Sequence, residues 1–448
     1  FRNNERTMAN MIDQSSPFDN SPWLWDLICP FLSFRDLPKV VLVSRAGLSV
    51  VTNWALWASK ELSGNQKIRN DSTDNKLLNL MLTFEKVILT FVYHETNGDN
   101  WAKERGWLVG DESSSIKSWV GVGLNSYGMV TSLNLERINE LKGTLPGSIG
   151  LLESLEKLVA YSTNLSGVLP GVSYSKLNKL QYLRLNNTKI SGHLPGIMCN
   201  GLTSLRELWL NDTQLSGPIP EEIGSLQNLE ILDLSASEHR PKMNITGYIP
   251  ASICQLKKLK KLWLQRTHIS GILPDNIGQL SELTHLYAFD TNLEGLLPTS
   301  LGHCNKLKYI HLSQTRISGS VISQIGQLLK LEELYLSNSN ISGVMPQEIG
   351  NLRNLKRLWL SHTQICGDIP ETLGNCQSLR YLVLNDTNIE GTLPNSLKDL
   401  SELREFNIRA TQLSGLHFGL LGLQLGALWG YRSCVLNDLT KQGCAIIL

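Results

Sequence analysis

Leucines return along this chain at a fixed step, and a step that regular leaves few folds open. Leu259, Leu283, Leu307, Leu331, Leu355, Leu379 and Leu403 are each 24 residues apart, and Val130, Leu155, Leu180 and Leu205 are 25 apart. From Leu229 to Leu259 the step is 30, one period with six residues inserted. Whole phrases recur with the leucines: LRELWLNDTQLSGPIPEEIG at 205–224, LKKLWLQRTHISGILPDNIG at 259–278 and LKRLWLSHTQICGDIPETLG at 355–374. A unit this short buries its apolar side only against copies of itself, so the core grows along one axis. Twelve such units run from about Val130 to Gly415.

Each position in the unit has a physical task. In Leu208-Trp209-Leu210 the alternation of a half-buried strand turns the leucines inward and the tryptophan outward. Three residues after the second leucine comes a hydroxyl, as at Thr163, Thr188, Thr213, Ser237, Thr267 and Thr291. Where a strand stops, such a side chain can satisfy backbone groups that the ladder no longer pairs. A glycine follows in every unit, from Gly143 to Gly415, where the chain turns without a Cβ. In ten units a proline three residues later ends regular structure, and Ile-Gly-x-Leu then carries the return segment.

With its Leu-Ser-Gly-x-Ile-Pro phrase the array resembles the leucine-rich repeats of the plant-type 24-residue class, with Thr or Ser where that class usually has Asn. The resemblance covers nearly two-thirds of the chain. It implies an α/β solenoid, a right-handed superhelix with a parallel, concave β-sheet, preceded by a small α-helical N-terminal region.

The ends of the chain have a different composition. Residues 1–20 are polar and expected as a disordered tail, with Met8 a candidate start and no charged-then-apolar leader before the first domain. Residues 21–60 show short amphipathic spacings, and ICPFLSFRDLPKVVLVSR at 28–45 is similar to an F-box. That similarity implies a head docking the adaptor of a cullin-type ubiquitin ligase through Ile28, Phe31, Leu32, Leu37 and Leu42. Residues 61–75 are expected as a linker, and 76–129 as the cap of the array. In the cap, Leu77, Leu80, Met81, Phe84, Val87, Ile88 and Phe91 predict a helix over 76–93, followed by HETNGDNW at 94–101. After Gly415 the pattern fails: LHFGLLGLQLGALWGY at 416–431 is expected as the start of a degenerate C-terminal cap over 416–448, the alternatives being a short transmembrane helix and translation past an exon boundary.

Charge is balanced, 41 Lys+Arg against 40 Asp+Glu, which gives no reason to expect nucleic acid as partner. Of eight cysteines, Cys304 and Cys376 stand in slots held elsewhere by leucine. Unpaired, leucine-like cysteines favour a reducing compartment, so a cytoplasmic or nuclear protein is expected, with a membrane anchor as the minority alternative. Seven Asn-x-Ser/Thr sequons mostly follow from the repeat's own phrases.

No catalytic constellation is present: His94-Glu95 lacks the second His of a zinc-protease helix, and no phosphate-binding Gly-Lys-Ser/Thr occurs. No cofactor and no metal are expected. What stands out is the outward slot at the strand centre, which reads Trp209, Asp233, Trp263, Tyr287, His311, Tyr335 and Trp359 over seven consecutive repeats. Exposed contiguous aromatics commonly mark binding sites. Polar residues flank the column, among them Asp212, Arg266, Asp290 and His362. The insertion SASEHRPKMN at 235–244 is expected to loop out as a charged protrusion on one rim. The function expected from all this is non-enzymatic recognition of a protein or peptide on the concave face, as substrate receptor of a ubiquitin ligase. The alternatives are a membrane-tethered, receptor-like or defence-type array sensing an extracellular peptide or glycan, and a stand-alone scaffold.

Overall fold

The computed structural model describes residues 71–102, 105–107 and 116–414. The chain divides into two compact units, Phe1–Thr131 and Ser132–Leu448. In the first, a helix spans Asp71–Glu95, entering the stretch expected as linker, where the sequence DSTDN has no glycine or proline to stop it. The helix buries Val87, Ile88, Leu89 and Val92. It ends where Thr96 Oγ1 donates to the Val92 carbonyl and Asn97 turns left-handed, with φ 61°. Beyond it, Trp101, Trp107 and Trp119 pack together, with ring centroids 5.1 and 4.9 Å apart. Trp101 Nε1 donates to the Thr96 carbonyl at 2.9 Å and Trp107 Nε1 to that of Val120 at 3.0 Å, whereas the buried Trp119 Nε1 has no acceptor among the described residues.

The second unit is the solenoid. Its twelve consecutive parallel strands run from Val130–Asn134, which straddles the division, to Glu405–Asn407. Register is strict: Leu208, Leu232, Leu262, Leu286, Ile310, Leu334, Leu358 and Leu382 face one another strand by strand. None of these side chains is more than 1% exposed. Each repeat therefore closes the core of the one before it.

Past each strand except Ile231–Asp233, whose repeat carries the insertion, the chain makes a left-handed turn that the sequence did not announce. Asp212, Arg266, Asp290, Gln314, Asn338 and His362 all sit at φ between 53° and 56°. Their N–H groups continue the ladder, as Asp290 does to the Ser313 carbonyl at 3.0 Å. The next residue is the recurring hydroxyl. From Thr163 to Thr411 each threonine in this slot donates to the carbonyl three residues earlier, at 2.6–2.9 Å. Ser237 departs from the expected pattern. It is exposed and bonds the Asp212 carboxylate, because the insertion lifts it out of the slot.

After the hydroxyl a second parallel ladder forms, running through the Ser-Gly phrase, and it splits at the insertion into sheets of five and seven strands. Gly271 turns there with φ +73°, a conformation that side chains with a Cβ resist. Proline then precedes a short 3-10 turn, as Pro346 does before Gln347–Asn351. Inside that turn, a Cβ on Gly350 would lie 2.3 Å from the Thr372 carbonyl oxygen of the next repeat, so glycine is what lets successive turns touch. Cys304 and Cys376 fill their leucine slots at 0% exposure.

Two substitutions test this ladder by chemical denaturation. Thr291→Val keeps the shape but strips the buried Ala288 carbonyl of its donor, and should cost about 1–3 kcal/mol. Gly350→Ala should force neighbouring turns apart at a similar cost, about 1–3 kcal/mol. Loss of less than roughly 0.5 kcal/mol in both would mean that the contacts between repeats do not limit stability.

Candidate functional site

Because strands pair in register, the residue after each inward leucine forms a column. Trp209, Asp233, Trp263, Tyr287, His311, Tyr335 and Trp359 are aligned by direct strand pairing. Trp263 stacks on Tyr287 with centroids 6.3 Å apart, and His311 lies 4.8 Å from Tyr335. Trp359, 37% exposed, meets Tyr335 edge-to-face at 5.1 Å. The column is not uniformly open. Asp233 and Val383, both in outward slots, are 3% and 7% exposed, and Asp233 is covered by its larger neighbours Trp209 and Trp263.

A second outward column was missed in the sequence, although period-two alternation also turns outward the residue before each inward leucine. It holds Tyr182, Glu207, Ile231, Lys261, His285, Tyr309, Glu333, Arg357 and Tyr381. His285 packs 4.6 Å from Tyr309, and the two columns join where His285 approaches Tyr287 at 5.8 Å. Phe289, two residues after Tyr287, stacks on His311 at 4.0 Å. The centre of the face is thus a continuous aromatic surface.

Its electrostatics follow from partial burial. Desolvation pushes His285 and His311 down to about 4, so both imidazoles are neutral at neutral pH. Burial also pushes Tyr287 and Tyr335 up to about 12. Charge lies around this neutral centre. Lys261 Nζ stands over the Trp263 ring at 4.9 Å, and the Arg184 guanidinium over Trp209 at 5.7 Å. Along one flank Glu230 bridges Arg206 and Lys260, and Glu332 bridges Lys308 and Lys356. Hydrogen bonding from Lys260 and Lys356 holds these two carboxyls below the usual range.

The opposite flank corrects the expected protrusion. The insertion folds back over the left-handed turns instead of standing free. Arg240 Nη2 donates to Asn187 Oδ1, Lys242 Nζ pairs with Asp290 Oδ1 at 2.6 Å, and Ser237 bonds Asp212. Arg266 reaches both Asp290, at 3.4 Å, and the Arg240 carbonyl, at 3.0 Å. The physical reason is that polar side chains of the loop find oxygens already arrayed along the turns: Lys242 and Ser237 meet carboxylates, and Arg240 an amide. Asp212, Arg266 and Asp290 therefore hold the loop, while His362 stands 3.6 Å from Asp386. Among the described residues no group of His, Cys, Asp and Glu is arranged to hold a metal, and no helix is long and apolar enough to cross a membrane. The adaptor-binding residues expected at Ile28, Phe31, Leu32, Leu37 and Leu42, and the apolar segment at 416–431, lie outside the described residues.

Known proteins bear on the array. A family model described as a leucine-rich repeat region matches residues 202–297 and 290–419, and a single leucine-rich-repeat model matches 179–200. A comparison with curated protein sequences gave no match. Among solved structures the chain is similar to PEPR1 in the crystal structure PEPR1-AtPEP1, at 28% identity and TM-score 0.64, covering 74% of this chain and 49% of that one. It is also similar to the ectodomain of the plant membrane receptor kinase GASSHO1/SCHENGEN3 from Arabidopsis thaliana, in complex with Casparian strip integrity factor 2. There the identity is 29% and the TM-score 0.52, over 62% of this chain and 36% of that one. A TDR receptor follows at 26% identity and TM-score 0.55, over 63% and 52%. The chain thus spans less than two thirds of the length of each of these structures. Strand ladder, buried leucine register and family models coincide over the same residues, and the chain is a leucine-rich-repeat protein.

Proposed function

We propose that this array recognises a protein or peptide lying across the strands of the long sheet, and that it carries out no chemistry of its own. The observation that carries the reading is the aromatic face from Trp209 to Trp359, joined through His285 and Tyr309 to a second column. Neutral rings rimmed by charge suit an extended chain: apolar side chains find rings and polar ones find the flanks. The receptor-like architecture has more support than the ligase one, since the GASSHO1/SCHENGEN3 ectodomain is itself in complex with Casparian strip integrity factor 2. The adaptor-docking role of residues 28–45 has no such parallel.

The four buried cysteines do not by themselves weigh towards the cytoplasm. Cys199, Cys254, Cys304 and Cys376 are buried one to a slot, and burial pushes their thiols up to about 11–12. Thiols so placed stay unpaired and unreactive in an oxidising compartment as well. A membrane-tethered location is therefore open to the receptor-like reading.

Peptides selected on the wild-type protein from a random displayed library supply the ligand for a test. In a binding titration Trp263→Ala and Trp359→Ala should each weaken binding by about 2 kcal/mol or more, as at anchor positions. Tyr248→Ala, on an exposed side chain of the second ladder, should leave it unchanged. Unchanged binding in both tryptophan variants would remove the strand face as the site.

A further inference from the structure

The aromatic column changes character at one place. Asp233 stands between Trp209 and Trp263, paired in register with both. Those two strands are not neighbours, yet the indole rings meet edge-to-face with centroids 5.5 Å apart, closing across the aspartate. Asp233 is left 3% exposed. Its Oδ1 accepts hydrogen bonds from the Ser235 N–H at 3.0 Å and the Ser235 hydroxyl at 2.6 Å, whereas no described group donates to Oδ2. Burial pushes this carboxyl up to about 6, and the nearby Asp212 carboxylate pushes the same way.

Around it stand unpaired acceptors, together with the unpaired buried donor Nε1 of Trp263. Asn211 and Gln265 lie in the repeats on either side of Ser235, and Asn211 Oδ1 and Gln265 Oε1 are both buried without a donor among the described residues. The cations nearby are engaged elsewhere: Arg184 over Trp209, Lys261 over Trp263, and Arg266 with Asp290 and the Arg240 carbonyl. A carboxylate this deeply covered is costly unless a cation or donor reaches it.

We infer that Asp233 anchors a basic side chain, guanidinium or ammonium, of the peptide that the strand face recognises. The cation enters as the Trp209 and Trp263 rings part, donates to Oδ2 and to the orphaned amide oxygens, and lies against the indole faces. A sugar would supply donors but no charge to offset the carboxylate. The inference rests on the peptide-recognition reading and adds to it the chemical class of one ligand residue.

Selection of a random displayed peptide library on the full chain at pH 7.5 tests it. Selected peptides should share an Arg or Lys at one fixed position. Replacing that residue by citrulline or norleucine should weaken binding to the wild-type protein at least tenfold, a result that does not depend on any variant folding. Selection on Asp233→Asn should lose the basic preference, and this variant, relieved of a buried charge, should melt no lower than wild type. Peptides without a basic preference, a basic residue whose neutral replacement changes nothing, or the same preference on Asp233→Asn would each overturn the anchor while leaving peptide recognition standing. A library that yields no binder would bring down the recognition reading and the anchor together.

Discussion

The structure depends on one contact repeated along its axis: the inward leucine of each strand against the inward leucine of the next. Because Leu208, Leu232, Leu262 and their successors are held in register, everything attached to them is held in register too. The outward columns, the left-handed turns and the row of hydroxyls are consequences of that alignment. A face built this way places rings with the precision of a core while leaving them at the surface, since no ring is needed to hold its own strand.

The insertion shows how local a change in such an array remains. Six extra residues split the second ladder into sheets of five and seven strands and displace Ser237 from its slot, yet the long sheet continues through Ile231–Asp233 without a break in register. The loop's own ties run to Asn187 on one side and Asp290 on the other, so the flank it covers spans several repeats. It lies in the part of the array that also holds Asp233, so one short stretch of sequence sets both the covering of the flank and the one acidic break in the aromatic column.

The leucine ladder and the aromatic column were legible in the sequence, because both are strictly periodic and alternation assigns their sides. The left-handed turn was not: its slot holds Asp212, Arg266, Gln314, Asn338 and His362, and no shared side-chain chemistry announces a backbone dihedral. The fate of the flanking polar residues was hidden for a different reason. Asp212 and Asp290 look like offered ligands in the repeat, and only the fold of the insertion, which has no period, shows that they hold a loop. The burial of Asp233 was missed because its slot faces outward; its cover comes from rings on the strands to either side, a contact that sequence spacing alone does not reveal.

The division of each strand into a side that holds the array and a side left free is tested most directly within one strand, at Leu358 and Trp359. They are adjacent in sequence and point to opposite faces, one fully buried and the other 37% exposed. Urea denaturation of the two alanine variants compares them. Leu358→Ala should lose about 2–5 kcal/mol through the cavity it leaves, and Trp359→Ala should stay within about 1 kcal/mol of wild type. A loss at Trp359 as large as that at Leu358 would contradict the account, because the outward face would then be part of what holds the array together.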